Sequence, residues 1–389
     1  MKKADFELMK KINQQYIMKV VFEKKAIPRA KIAEITGLSK ATVSNNVKQL
    51  LENNLLKETT TGESSGGRRP VLLQLNSDGA HFVGFEWGID QIKGVLINLN
   101  KKIVKYKEIN VDNYQVKNYI EKTAPIIEEF GQLIDKKSLI YGIGIGIHGL
   151  VNPVKGVSLY APHFNWKNVS IVDKLSEIVD FPVFIDNDVR MMALAEKWDG
   201  KSNFVFINTG SGIGAAIVYN DKLLFGSNYS AGEFGHMKVV DDGPRCSCGN
   251  YGCLEALIST DNMVKNFESV LAAEVTEAEL LTGWHRLKAD ARKVKDSRAR
   301  KIIKKAAAYL GIGIANLTNL LNTDQVIIGG KFLEIEEVIM PVIKEKAHSN
   351  SLKVPGDNIT ITKTSFGDKV GAVGAAMKVF SEFFKLKEV

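Results

Sequence analysis

The chain is 389 residues long, 45% hydrophobic and 25% charged, an ordinary globular composition that suits two or three domains and contains no apolar run of membrane-spanning length. Its formal net charge of +8 is unevenly placed: residues 1–76 carry 14 Lys/Arg against 7 Asp/Glu, a surplus of +7, and the remainder is close to neutral. A compact basic module on a nearly neutral body predicts a polyanion-binding domain fused to a domain with another task, and with no signal peptide visible the protein is expected in the cytoplasm, with no membrane partner.

In chain order, Ile17, Val20 and Val21 repeat at helical spacing between Asn13 and Phe22. Ile27-Pro28 then breaks the pattern, with proline suited to the first turn of a new helix, Arg29 to Ile35. Gly37 is placed to end that helix in the left-handed conformation, and Ser39 to cap the next by accepting a backbone N–H bond. The third helix, KATVSNNVKQLLENN, has Val43, Val47, Leu50 and Leu51 on one stripe and Lys40, Thr42, Ser44, Asn45 and Lys48 on the other. This is helix-turn-helix grammar: the second helix of the pair enters the major groove, which makes Lys40, Thr42, Ser44 and Asn45 the base-contact candidates. The plainer alternative for any one of them is a solvated helix face. Two strands, Leu55 to Thr60 and Val71 to Leu75, flank TGESSGGRRP as a hairpin wing, completing a winged helix-turn-helix. Arg68 and Arg69 would follow a phosphate chain or enter a narrow minor groove, the alternative being a flexible linker with solubilising charge.

Beyond Asn76 strands and helices alternate. His81 to Phe85 and Gly94 to Leu99 resemble a hairpin; Leu139 to Ile147 and Pro182 to Ile185 are strands, and Asn203 to Val218 holds two more about a glycine turn. Helices are predicted at Val189 to Trp198, Arg298 to Leu321 and Gly371 to Phe380. A mixed α/β pattern with strands meeting glycine turns predicts nucleotide- or sugar-binding architecture. The turn Asn208-Thr209-Gly210-Ser211-Gly212-Ile213-Gly214 could cradle phosphate with its N–H groups, and tight strand packing explains it nearly as well.

All three cysteines lie in GHMKVVDDGPRCSCGNYGCLE. His236, Cys246, Cys248 and Cys253 supply one imidazole and three thiolates, the donor set of a closed, structural tetrahedral zinc site. Three cysteines cannot all pair internally and a Cys-x-Cys spacing is poor for a disulfide, which leaves incidental thiols as the other reading. Gly249 and Gly252 fit a loop folded around one Zn2+ ion.

Gly232-Glu233-Phe234-Gly235-His236, the run from Cys246 to Glu255, Asn187-Asp188 and Gly329-Gly330 together resemble the ROK family of sugar kinases and repressors, over nearly the whole chain. With the helix-turn-helix and Ser65-Gly66-Gly67-Arg68-Arg69-Pro70 in front, the chain resembles the repressor branch, and most of all the xylose repressors of Gram-positive bacteria. The resemblance implies an α/β, actin- and hexokinase-like (ribonuclease H-like) body of two lobes with sugar in the cleft. It divides the chain into residues 1–76 for DNA, 77–197 with the helix 371–389 packing back as lobe 1, and 198–370 as lobe 2 with the zinc motif.

By the same resemblance Asn165, Asn187, Asp188, Glu233, His236 and Glu255 are expected to bind sugar, Asp188 in the place of the kinases' general base and His236 also ligating zinc. Several convergent acceptors suit vicinal hydroxyls. The lesser alternative for Asp188 read alone is a helix cap for Val189 onward. Where the family's kinases hold ATP phosphates on an aspartate and a Gly-Gly-Thr turn, this chain has Glu86 and then Gly88-Ile89-Asp90. A bulky side chain and a negative charge there are poor phosphate chemistry. The expectation is a homodimeric repressor of a palindromic operator released by a sugar, xylose by resemblance, with no enzymatic activity. The alternative is a sugar kinase carrying an accessory DNA-binding arm.

Overall fold

A computed structural model of the chain describes residues 2–59, 70–198, 200–268 and 276–385. The chain divides into two compact units, Met1–Met191 with Gly371–Val389, and Met192–Val370.

The first unit begins with α1 (Lys2–Lys24), β1 (Ile27–Pro28), α2 (Arg29–Thr36), α3 (Lys40–Glu52), β2 (Leu56–Thr59) and β3 (Leu72–Leu75). The strands form an antiparallel sheet in the order β1-β3-β2. Ile17, Val20, Val21, Ile32, Val43, Val47, Leu50 and Leu73 are buried and make the core that the helical stripes predict. Helix α1 starts eleven residues before the apolar repeat does. Gly37 sits at φ 69° and its N–H donates to Ala33 O, closing α2. Ser39 Oγ accepts from Thr42 N at 3.1 Å, capping α3.

Then come β4 (Ala80–Trp87), β5 (Gln91–Asn98), β6 (Ile103–Asn110), α4 (Val116–Gln132), β7 (Leu139–Ile147), the three short strands β8 (Leu150–Asn152), β9 (Val157–Ala161) and β10 (Trp166–Ser170), α5 (Ile171–Ser176), β11 (Val183–Asn187) and α6 (Asp188–Lys197). The main sheet runs β11-β7-β4-β5-β6, with β4, β5 and β6 antiparallel and β7 and β11 parallel to β4. The second unit holds β12 (Phe204–Thr209), β13 (Ile213–Tyr219), β14 (Lys222–Leu223), α7 (Leu254–Ile258), α8 (Thr260–Glu268), α9 (Glu277–Lys293), α10 (Arg298–Leu321), β15 (Gln325–Gly330), α11 (Glu336–Asn350), α12 (Lys353–Asn358) and β16 (Thr360–Lys363). Its sheet, β14-β13-β12-β15-β16, repeats the same plan: a three-strand antiparallel meander followed by two parallel strands added on the other side of the first. Each unit thus carries one five-stranded sheet of this plan.

The last helix, α13 (Val370–Phe384), lies against the main sheet of the first unit. Strand β7 reads Gly142-Ile143-Gly144-Ile145-Gly146-Ile147, and the period of two puts the isoleucines on one face and the glycines on the other. The isoleucines join the buried cluster with Phe85, Trp87, Tyr119, Ile126 and Phe130. On the glycine face a Cβ at Gly144 would fall inside the radius of Ala375 O, and one at Gly84 inside that of Ala372 O. Phe82 stacks edge-on with Phe380 and Phe383 on the same face. Phe22 of α1 meets Phe380 at 5.5 Å and Phe384 at 5.2 Å between ring centroids, which joins the first and last helices of the chain.

Candidate functional site

The predicted site residues fall into three groups, which the two units hold separately. On α3, Lys40, Ser44 and Asn45 are exposed, and Thr42 is half-buried with its hydroxyl 2.9 Å from Ser39 Oγ. Thr42 therefore already serves the cap. Asn46, one residue on, is buried and donates from Nδ2 to Thr42 O, stiffening the turn that presents Asn45. Arg68 and Arg69 lie outside the described residues.

In the second unit, the ligand atoms of His236, Cys246, Cys248 and Cys253 all lie within 4.8 Å of one another. A Zn–S bond of about 2.3 Å and a Zn–N bond of about 2.0–2.1 Å imply tetrahedral edges of about 3.8 Å for S···S and about 3.5 Å for S···N. The observed Cys248 Sγ to Cys253 Sγ distance is 3.7 Å and Cys246 Sγ to His236 Nδ1 is 3.5 Å. The donors fit the ion. The backbone builds this corner: Cys246 N donates to Asn250 O, Gly249 N to Cys246 O, and Gly252 N to Pro244 O. Gly252 has φ 73° and a Cβ there would collide with Val240 O, so the loop requires glycine. Burial pushes the Cys246 thiol up, and that of Cys253 up to about 12. The Asn250 backbone N–H instead holds Cys248 below its ordinary value. A divalent cation is what would let three clustered thiols ionise together.

Two carboxylates accompany the cluster. Glu233 Oε2 lies 3.7 Å from His236 Nε2, on the ring nitrogen that faces away from the cysteines. This is the carboxylate partner that a metal-bound imidazole commonly has. Glu255 spends Oε2 on Ile213 N at 3.0 Å and Oε1 on Ser247 Oγ at 3.1 Å, tying the cysteine loop to the glycine turn between β12 and β13. That turn is itself internally bonded: Gly210 N donates to Gly212 O, Thr260 N to Gly210 O, and Thr209 Oγ1 to Gly329 O. Of the two readings offered for the turn, these bonds support packing.

In the first unit, Asn187 ends β11 and Asp188 opens α6. Asn187 Oδ1 accepts from Arg190 N at 3.1 Å, so the capping role falls to Asn187, while its Nδ2 donates to Gly149 O and to Asp188 Oδ1. Asp188 Oδ1 also accepts from Val189 N at 2.9 Å. Burial pushes Asp188 up, but His148, the Val189 N–H and Arg190 outweigh it and hold the carboxyl below its ordinary value. Behind it Arg190 and Asp186 form a buried pair, and Arg190 also donates to Val151 O. Asn165 is exposed, in the left-handed region at φ 55°, closing the short 3-10 helix Pro162–Phe164. His148, which sequence reasoning passed over, reaches Asp188 Oδ2 at 3.7 Å and His163 at 3.0 Å.

At Gly88-Ile89-Asp90 three backbone groups are spent within the fold. Gly88 N donates to Gln91 O, Gly88 O accepts from Tyr119 Oη at 2.8 Å, and Asp90 O accepts from Val111 N. Ile89 packs against the buried cluster of this unit.

The ROK family model matches residues 82–381. A xylose repressor of Caldicellulosiruptor bescii is 31% identical over 397 residues, covering 98% of each chain. Among solved structures, a ROK family transcriptional regulator described as a homolog of the Escherichia coli MLC protein superposes with a TM-score of 0.78 at 28% identity, covering 97% of this chain and 98% of the other. A ROK family glucokinase from Streptomyces griseus, in complex with glucose and AMPPNP, has a TM-score of 0.65 at 24% identity and covers 76% of this chain and 98% of its own, a likeness of fold.

Proposed function

The chain belongs to the ROK family, and from that we propose a sugar-responsive transcriptional repressor whose N-terminal module reads DNA and whose two-lobed body binds the effector. The observation that carries this reading is the basic three-helix module with its capped third helix, set ahead of a ROK body in a chain similar to a repressor over both parts. Residues 1–76 are the winged helix-turn-helix, 77–197 with 371–389 the first lobe, and 198–370 the second lobe with the metal loop. Two-fold symmetry of a homodimer would match a palindromic operator, with half-sites at a fixed helical spacing. Lys40, Thr42, Ser44 and Asn45 read base edges, and Arg68 and Arg69 hold phosphate or minor groove. A repressor works where the genome is, which places it in the cytoplasm; among the described residues no helix is long and apolar enough to cross a membrane.

The effector proposed is xylose, on the strength of the relative's name. In the first unit Asp188 offers Oδ2 to a hydroxyl, Asn187 stands beside it, and Asn165 is the third ligand proposed. In the second, Glu233, His236 and Glu255 are the ligands proposed, Glu255 through the remaining capacity of Oε1. Zn2+ on His236, Cys246, Cys248 and Cys253 would act by structure alone, pinning the loop that carries Glu255 and aiming the His236 ring. The kinase alternative is disfavoured because the Gly88 N–H, a donor that a phosphate turn would use, is already bonded to Gln91 O, and Ile89 and Asp90 bring bulk and negative charge beside it.

The test is selection from a random duplex library by the full-length protein, followed by release with D-xylose. A two-fold motif released by D-xylose is expected. No enriched motif refutes the repressor, release by a different sugar corrects the effector, and ADP produced from magnesium ATP and sugar restores the kinase.

A further inference from the structure

Three ionisable side chains of the first unit, far apart in sequence, line up in one row, joined by one hydrogen bond and one ion-pair contact. His148 lies in the turn between β7 and β8, His163 in the 3-10 helix Pro162–Phe164, and Asp188 at the start of α6. His148 Nδ1 is 3.7 Å from Asp188 Oδ2, and His148 Nε2 is 3.0 Å from His163 Nδ1. The two rings meet edge to face at 4.7 Å, and the Phe164 ring packs on His148 at 6.3 Å. The row runs from an exposed imidazole, through one that is 28% exposed, to a carboxylate that is 14% exposed.

The chemistry gives this row a direction. An ionised carboxylate only accepts, so Nδ1, the His148 nitrogen that faces Asp188 Oδ2 across 3.7 Å, is the one favoured to carry the proton of the neutral ring. The neutral ring then has a bare Nε2, which only accepts, and His163 Nδ1 must donate to it. Both neutral rings are thereby held in the Nδ1–H form, whereas a free imidazole in water favours Nε2–H. Asp188 Oδ1 is meanwhile filled by Val189 N and Asn187 Nδ2, each at 2.9 Å. Oδ2 is the oxygen with room for one more donor, and His148 decides where its lone pairs point.

We propose that His148 is a positioning residue for the effector: it grips Asp188 Oδ2 with one ring nitrogen and the exposed His163 with the other, presenting a ligand hydroxyl with an acceptor already aimed. This rests on the reading of Asp188 as a sugar ligand. The physical gain is preorganisation, since the carboxylate does not have to give up rotamer freedom when the sugar arrives. His163 acts through His148, by fixing its tautomer.

The experiment has two arms on the full-length protein. Ring 15N shifts of the sugar-free protein, assigned with His148→Asn and His163→Asn, report the tautomer directly; the Nδ1–H form of His148 is expected, and an Nε2–H form overturns the proposal. Affinity is then measured by calorimetry for whichever of D-xylose, D-glucose and N-acetylglucosamine binds wild type tightest. His148→Phe, which keeps the ring and loses both nitrogens, is expected to weaken it by about tenfold or more, the worth of a hydrogen bond to a charged group. His148→Asn, whose amide nitrogen stands near Nδ1, is expected to recover most of that loss. If Asp188→Asn weakens the sugar but His148→Phe does not, or if His148→Asn is as poor as His148→Phe, the positioning role is wrong. If Asp188→Asn itself binds like wild type, or no sugar of the three binds, it is the sugar reading that has failed, and the tautomer alone decides the geometry.

Discussion

Gly84 and Gly144 are cross-strand partners in the parallel pair of β4 and β7, and the backbone of the last helix lies where both their side chains would be. The two glycines are a groove, cut across two strands, that lets α13 approach the sheet. Gly84→Ala should cost about 3 kcal/mol, the upper range for overpacking, because the clash is with backbone that cannot move aside. Gly131→Ala on α4 meets nothing within 4 Å, and should instead stabilise by about 0.5–1 kcal/mol. Urea melts of the two variants should bracket wild type; equal midpoints would mean the helix does not pack as described.

One zinc per chain is expected in protein purified without added metal, by elemental analysis. Cys248→Ser removes the exposed member of the set and should release the ion, loosening the loop from Gly243 to Glu255 and weakening the sugar response more than operator binding. Less than a tenth of an equivalent in wild type, with the sugar response intact, would remove the ion from the account.

Asp188→Asn keeps the shape and loses the charge. Sugar affinity should fall by about 1.5–3 kcal/mol, as for a charge-assisted hydrogen bond, with operator affinity in the absence of sugar unchanged. The native carboxyl is held below its ordinary value of 3.8. The stability it contributes is therefore complete above that value and is lost as pH falls through the lower, folded one. Sugar binding should accordingly be insensitive to Asp188 titration near neutrality, and calorimetry across pH 5 to 8 on wild type and variant checks both points.

The DNA module separates charge from sequence reading. Arg68→Ala with Arg69→Ala should lower the log–log salt slope of operator binding by about 0.9 for each phosphate that is no longer neutralised. Asn45→Ala should change which base pairs are preferred, at about 1–3 kcal/mol per mismatch. Thr42 substitutions carry a second cost, since its hydroxyl and N–H both meet Ser39. Operator titrations at several salt concentrations distinguish these, and operator binding that survives deletion of residues 1–76 would show the reader to be elsewhere.

What the sequence made legible was local. Gly37 and Ser39 mark one helix end and one helix start through their own backbone chemistry, and the four candidate metal donors lie within eighteen residues of each other, so spacing alone exposes the cluster. Strand β7 and helix α10 show their periods directly. The first half of α1 was not legible because KKADFELMKK has no apolar stripe. The β8-β9-β10 sheet was missed because its strands are short, the turn into β10 rests on Asn165 in the left-handed region, and Asn168, also left-handed, interrupts β10 itself. His148 was missed for a different reason: its partners are 15 and 40 positions away, and nothing in the turn it occupies announces them. Glu255 stands out in the sequence as the carboxylate that closes the cysteine run, but its commitment to Ile213 N appears only when the loop closes.

The packing of α13 into its glycine groove also orders events during synthesis. The second unit is one continuous stretch, Met192–Val370, and every strand of its sheet is synthesised before the last helix. The first unit is not: its sheet is translated early, but the glycine face between β4 and β7, and the aromatic seat for Phe22, stay uncovered until residues 371–384 emerge. The part of the chain made first is therefore the last to be finished. A truncation that removes only the final helix should leave the second unit folded and the N-terminal part exposed to aggregation and proteolysis.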